Sequence, residues 1–166
     1  MTNETVQVAI IMGSDSDLPV VEASFSILDD FGVKYTKNVM SAHRTPHDVM
    51  ELIKTSEEHG CKVFIAAAGM AAHLAGAVAA HSTKPVIGIP IESGGMGGID
   101  SLLSTAMMPP GVPVATVAVG KSGAKNSAIL AVQILATSDE GLAQKLVEYK
   151  QNMRSEVLEK DKKLNS

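Results

Sequence analysis

"VQVAIIMGSDSD", residues 6–17, decides the fold. A nearly all-apolar run, 6–12, ends abruptly in one glycine, two serines and two aspartates. A run without alternation reads as a parallel strand covered on both faces. The residues that follow suit a helix start, since Ser and Asp side chains accept the free N–H groups there. Beyond them, residues 18–31 have helical spacing, with Val20, Val21, Ile27, Leu28 and Phe31 on one face. The stretch is therefore the first strand–helix unit of an α/β fold. Taken alone, "GSDSD" is explained equally well by plain capping.

Working outward, the same alternation recurs. Strands are expected at 34–40, 62–68, 85–89 and 114–119, nearly all apolar except the first of these, "KYTKNVM". Its alternating polar residues mark an edge strand. The second helix has clear ends: Thr45 as cap, Pro46 in the first turn, Asp48 near the positive end of the dipole and Gly60 at the stop. Further helices are expected at about 72–81, 99–107 and 124–136, and a long one at 139–160. Alternating β and α elements with right-handed crossovers imply a parallel sheet between two helical layers. With the second strand at an edge, the order is 2-1-3-4-5, a flavodoxin-like three-layer sandwich. "NSAILAVQILA" is apolar nearly all round, and Leu142, Leu146, Tyr149 and Met153 repeat at helical spacing. Both carry more apolar surface than one small sheet needs, so the long C-terminal helix is expected to pack on a neighbouring subunit.

Composition narrows the function. At 166 residues a single domain over 1–166 is expected. A chain of this size buries about 70% of its unfolded surface and needs no disulfide or metal to fold. With 45% hydrophobic but 3% aromatic residues, the core is built of Val, Ile, Leu, Met and Ala. A net charge of −4 argues against general nucleic-acid binding. Cys61, the single cysteine, precedes an apolar run and reads as a buried core thiol. No apolar stretch is long enough for a membrane helix, and "MTNETVQ" is unlike a signal peptide. The expected location is the cytoplasm, with no membrane and no nucleic acid as partner. No metal site and no cofactor are expected. The histidines do not form H-E-x-x-H, and neither a triphosphate loop nor G-x-G-x-x-G is present.

In such a sheet, ligands bind beyond the carboxyl ends of the strands where the order reverses. "GSDSD" follows strand one, "SAHRTP" (41–46) strand two and "AGMAAHLAG" (68–76) strand three. In order 2-1-3 all three loops crowd one crevice. Gly13 is expected to permit a tight turn. Ser14 and Ser16 offer hydroxyls and amides to an anion at a helix N-terminus. Arg44 adds a permanently charged clamp. Asp17 would repel a phosphate but can accept hydrogen bonds from ribose hydroxyls. Asp15 is expected to face solvent. His43, in the crevice, is suited to move protons near neutral pH. His73 is either a helix cap or a ligand contact, and His47, His59 and His81 read as surface residues. The glycine-rich "ESGGMGGID", 92–100, reads as a lid or a flexible connection.

"MGSDSD", "SAHRTP" and "AAHLAG", extended by "PVIGIP", "GIDSLLS", "GVPVATVAVG" and "NSAILAVQILA", resemble the N5-carboxyaminoimidazole ribonucleotide mutase (PurE) family of purine biosynthesis, over roughly residues 6–160. The resemblance implies a cofactor-free isomerisation of a ribonucleotide. A carboxylate moves from the exocyclic nitrogen of an aminoimidazole ribonucleotide to C4 of its ring through trapped CO2. It implies His43 as general acid/base and Ser14, Asp17 and Arg44 as nucleotide-binding residues, with Ser16 assisting at the phosphate. Ser41, His73 and the backbone from Ala68 through Gly69 to Leu74 would line the base and carboxylate end. It also implies a homo-octamer. A related branch carboxylates aminoimidazole ribonucleotide directly with CO2. That branch tends to carry lysine after the motif histidine, where this chain has Arg44, and to lack "AAHL". The sequence departs from the family pattern at Met70, where glycine is common, at Ala75, where proline is common, and at Met107, where glutamine is common. The alternative reading from a different class is a non-catalytic phosphoribosyl or flavin mononucleotide binding module. The scarcity of aromatic residues argues against a flavin.

Overall fold

The computed structural model describes residues 5–166. Five strands, β1 (Val8–Met12), β2 (Tyr35–Val39), β3 (Val63–Gly69), β4 (Val86–Ile91) and β5 (Ala115–Thr116), form one parallel sheet in the order β2-β1-β3-β4-β5. Six helices connect and follow them: α1 (Leu18–Phe31), α2 (Pro46–Glu58), α3 (Leu74–His81), α4 (Ile99–Ala106), α5 (Lys121–Ala136) and α6 (Glu140–Leu164). The expected three-layer architecture and strand order are those observed.

Successive residues of a strand face opposite ways, and the two faces build two core layers. Val8, Ile10 and Met12 of β1 pack with Ile65 and Ile89 beneath α1, α5 and the start of α6. Ala9 and Ile11 pack with Phe64, Val49 and Ile53 beneath α2 and α3. Cys61 is buried in this second layer, its thiol donating to the Val63 carbonyl. Burial pushes its pKa up, as befits a core thiol. β2 lies at an edge with no fully buried residue, which explains its alternating pattern.

Several local expectations change. The buried stripe of α1 is Val21, Ser24, Leu28 and Phe31, with Val20 and Ile27 only partly buried at its margins. Ser24 is tolerated there because its hydroxyl donates to the Val21 carbonyl at 2.6 Å. The last strand is two residues long instead of spanning 114–119. The chain does continue alongside β4, with Val117 N–H donating to the Gly88 carbonyl and Gly120 N–H to the Pro90 carbonyl. Pro90 has no N–H to return, so the ladder stops. α5 starts at Lys121, three residues before the expected 124. The two glycines in "GKSGAKN" read as loop, but Gly123 is inside the helix. A Cβ there would lie 1.6 Å from the Ala118 carbonyl oxygen, so the helix approaches its own entry loop as only glycine allows.

Asp139 caps α6, its carboxylate accepting from Leu142 N–H at 3.0 Å. Leu142, Leu146 and Tyr149 pack on this chain's own core. Lys145 Nζ donates to the Phe31 carbonyl at 2.8 Å, closing the end of α1. From Lys150 onward every residue is exposed, including Met153, Val157 and Leu158. No helix among the described residues is long and apolar enough to cross a membrane.

Candidate active site

The loops after β1, β2 and β3 converge as the strand order requires. They line a cleft of about 500 Å³. All ten residues singled out from the sequence lie on its wall: Ser14, Ser16 and Asp17 after β1, Ser41, His43 and Arg44 after β2, and Ala68, Gly69, His73 and Leu74 around the end of β3.

The first loop caps a short 3-10 turn, Asp15–Asp17, and not α1 itself, whose N-cap position, Asp17, makes no side-chain cap. Ser14 Oγ accepts from the Ser16 amide at 3.3 Å, and Asp17 Oδ2 accepts from the Ser14 amide at 3.0 Å, which completes a capping box. The Ser16 hydroxyl donates to Ser14 Oγ at 2.9 Å. Capping and ligand contact are compatible, because the same hydroxyls line the cleft. Asp17 is only 6% exposed, and burial raises its carboxyl pKa above the ordinary value, against the smaller opposing pull of the Ser14 amide. Asp15 faces solvent. Gly13 is not needed for a turn. Its φ is not left-handed, and a Cβ there would meet its neighbours at an ordinary 3.7 Å. Its backbone matters more, since Arg44 Nη2 donates to the Gly13 carbonyl at 3.0 Å and ties the second loop to the first.

The second loop is a closed turn. Thr45 does not cap α2 with its side chain, as the sequence suggested. Its Oγ1 instead accepts from the Ser41 amide at 2.9 Å and donates to the Ser41 carbonyl at 3.1 Å. Ser41 Oγ accepts from the amides of His43 and Arg44. Ser41 and Thr45 thus pin both ends of the segment that carries the histidine and the arginine.

The third loop brings His73 to His43. His73 occupies the N-cap position of α3 but makes no side-chain cap. Its Nδ1 lies 2.8 Å from His43 Nε2, with the rings edge to face. One nitrogen donates and the other accepts, so the two rings share a single proton along that line. His47, His59 and His81 are exposed, and the last two turn back to their own helices, at the Thr55 and Ala77 carbonyls.

Sequence reasoning missed two features of the wall. Met70 has φ of 54°, the left-handed region that a side chain rarely occupies. The turn lies against Ser104 of α4, whose Oγ accepts from the Ala72 amide at 3.2 Å and shares its one proton between the Asp100 carbonyl at 2.5 Å and the Met70 carbonyl at 3.2 Å. Met70 stands where the resembled family commonly has glycine, and that substitution was the available signal. Ser93, just after β4, is the one residue of 92–100 that lines the cleft. Its position at the carboxyl end of the next strand was the signal there.

A family model described as AIR carboxylase matches residues 7–156. The chain is 52% identical over 157 residues to the N5-carboxyaminoimidazole ribonucleotide mutase of Bacillus subtilis, covering 95% of this chain and 97% of that protein. It is 51% identical to the enzyme of the same name from Thermotoga maritima, covering 95% and 91%. Among solved structures it is similar to Treponema denticola PurE, with a TM-score of 0.88 at 31% identity, covering 96% of this chain and 99% of that one.

Proposed function

Because the chain belongs to the AIR carboxylase family, we propose that it is an N5-carboxyaminoimidazole ribonucleotide mutase, an isomerase of purine biosynthesis. The observation that carries this reading is the His43–His73 pair, 2.8 Å apart, facing the Gly13–Asp17 loop across one cleft.

The reaction balances without a co-reactant. The N–C bond of the carbamate breaks, CO2 departs, and the exocyclic nitrogen takes up one proton. C4 of the resulting enamine-like ring attacks the CO2, and C4 then gives up one proton as aromaticity returns. One proton enters and one leaves, so a single histidine serves both as acid and as base. We assign that role to His43, with His73 beside it to fix the ring and receive the far end of its hydrogen bond. Arg44 and the Ser14 and Ser16 hydroxyls take the phosphate. Asp17 takes ribose hydroxyls. The backbone from Ala68 to Leu74 lines the base. Holding CO2 beside the ring replaces a carbon carrier by effective concentration.

The relatives named as mutases at about half identity, together with Arg44 after the motif histidine, favour the mutase over direct carboxylation. We further propose a cytoplasmic enzyme, folded as one domain and assembled as a homo-octamer. The apolar side chains of the outer half of α6 would pack there on a neighbouring subunit. The test is a paired ultraviolet assay, with carbamate nucleotide at low bicarbonate in one cuvette and aminoimidazole ribonucleotide at high bicarbonate in the other. Rapid 4-carboxy product from the carbamate alone is expected. Preferential use of aminoimidazole ribonucleotide would assign the direct carboxylase, and product from neither would leave only a nucleotide-binding module.

A further inference from the structure

Ser93 is the cleft residue with the least explanation. Its hydroxyl is shielded from solvent and has no hydrogen-bond partner among the described residues. A buried hydroxyl without a partner costs stability, and native proteins keep few of them. Gly69 provides the space. A Cβ on Gly69 would fall 2.0 Å from Ser93 Oγ and 3.2 Å from the Ile91 carbonyl oxygen. Gly69 has no left-handed φ to require glycine, so it is this close approach that excludes a side chain.

We propose that Ser93 is a substrate-binding residue that donates its hydroxyl to the carboxyl group in transit. This rests on the mutase reading above. Sheet order supplies the direction. Arg44 and Asp17 lie in the loops after β2 and β1, whereas Ser93 follows β4, on the far side of β3. A nucleotide with its phosphate and ribose on the first side presents its base and carboxyl group toward the second. The chemistry also selects a hydroxyl. A lysine or arginine at this point would grip the carbamate carboxylate in the ground state and oppose its conversion to neutral CO2. A neutral donor favours the carboxylate over CO2 by less than a cation would, so it opposes breaking of the N–C bond less. Because Ser93 is held against β3, the donor stays in place while the charge on its partner disappears and returns.

The experiment uses Ser93→Ala in the full-length protein beside wild type. Three quantities are measured: Tm, the dissociation constants of aminoimidazole ribonucleotide and of the 4-carboxy product, and the share of carbamate nucleotide that escapes as free aminoimidazole ribonucleotide. Tm should be unchanged or higher, because the lost hydroxyl had no intramolecular partner. Affinity for aminoimidazole ribonucleotide, which has no carboxyl group, should stay within about twofold, while the 4-carboxy product binds ~10-fold more weakly. More of the carbamate should escape as free aminoimidazole ribonucleotide. Equal weakening of both nucleotides, a marked fall in Tm, or an unaltered product affinity and escape ratio would each overturn the role of Ser93. Those results leave the mutase reading intact, because that reading stands or falls on wild-type turnover. A wild-type protein that makes no product from the carbamate would remove both.

Discussion

Replacing Asp17 with Asn separates what this side chain does for the fold from what it does for a ligand. Asp17 is 6% exposed, and its Oδ2 accepts the Ser14 amide at 3.0 Å. Desolvation is the largest influence on its carboxyl group, and it raises the pKa above 3.8. The Ser14 and Gly13 amides pull the other way, and Asp15 adds to the rise. A raised folded-state value means that the folded chain holds this proton more tightly than the unfolded chain. The stabilising contribution is then fully present below the unfolded value and is lost as pH rises through the folded one. At neutral pH the ionised carboxylate is a net cost to the unliganded fold. Asn keeps an oxygen for the Ser14 amide and has no charge to desolvate. Asp17→Asn should therefore equal or exceed wild type in Tm at neutral pH, and its advantage should shrink on acidification toward the range where wild-type Asp17 is protonated. Binding moves the other way. A hydrogen bond to a charged group contributes ~1.5–3 kcal/mol, so affinity for the nucleotide should fall ~10–100-fold. Calorimetric scans at a series of pH values give the stability arm, and subtracting wild type from variant cancels the titration of other groups. Isothermal titration with aminoimidazole ribonucleotide gives the binding arm. A variant less stable than wild type at neutral pH, with a gap that closes on acidification, would refute the reasoning, because the amides would then outweigh desolvation. Unchanged affinity would remove Asp17 from the ribose.

The other expectations concern separate parts of the molecule. His43→Asn should bind nucleotide almost as wild type does and lose ~10²–10⁴-fold or more in kcat; loss of binding, or turnover that survives, would contradict the acid/base role. Arg44→Ala should weaken the nucleotide ~10–100-fold while hardly affecting the dephosphorylated nucleoside, and equal weakening of both would mean that Arg44 acts elsewhere. Gly123→Ala drives a Cβ to within 1.6 Å of a backbone oxygen that has no side-chain freedom to yield. It should cost ~1–3 kcal/mol, seen as a Tm lower by about 2–12 °C, and an unchanged Tm would show that the α5 entry relaxes freely.

Most of the architecture was legible because it depends on short-range patterns. Apolar runs of strand length, broken by capping residues, occur wherever a parallel strand hands over to a helix, and the polar alternation of β2 marks an edge because an edge strand is half wetted. Once the order 2-1-3 was assigned, the convergence of three loops followed from topology without any side-chain coordinates. The errors share a cause. The length of β5 depends on whether its neighbour returns hydrogen bonds, and Pro90 does not. The start of α5 depends on how closely Gly123 meets Ala118, a contact invisible to helix propensity, which counts glycine as a breaker. Thr45 was assigned to a cap because Thr commonly caps, yet the Ser41 backbone competes for the same oxygen and holds it.

The site divides in the same way. Residue types at the carboxyl ends of strands identified who faces the cleft, but not how the histidines relate. His43 and His73 are 30 residues apart in sequence and come from loops on either side of β1. Their 2.8 Å contact depends on β1 separating their strands by one position and on the second loop that the Ser41–Thr45 clasp closes. Met70 shows a further dependence. A methionine at φ of 54° is strained by ~1–2 kcal/mol relative to the usual backbone regions. Ser104, on α4, supports the turn by accepting from the Ala72 amide and by sharing its proton between the Met70 and Asp100 carbonyls. The wall of the cleft is thus braced from outside by a helix that contributes no lining residue. Ser93 enters the wall through the same region, at the start of the connection from β4 to α4. The end of the cleft proposed to take the carboxyl group is therefore shaped by the β4–α4 unit, which none of the three motifs contains.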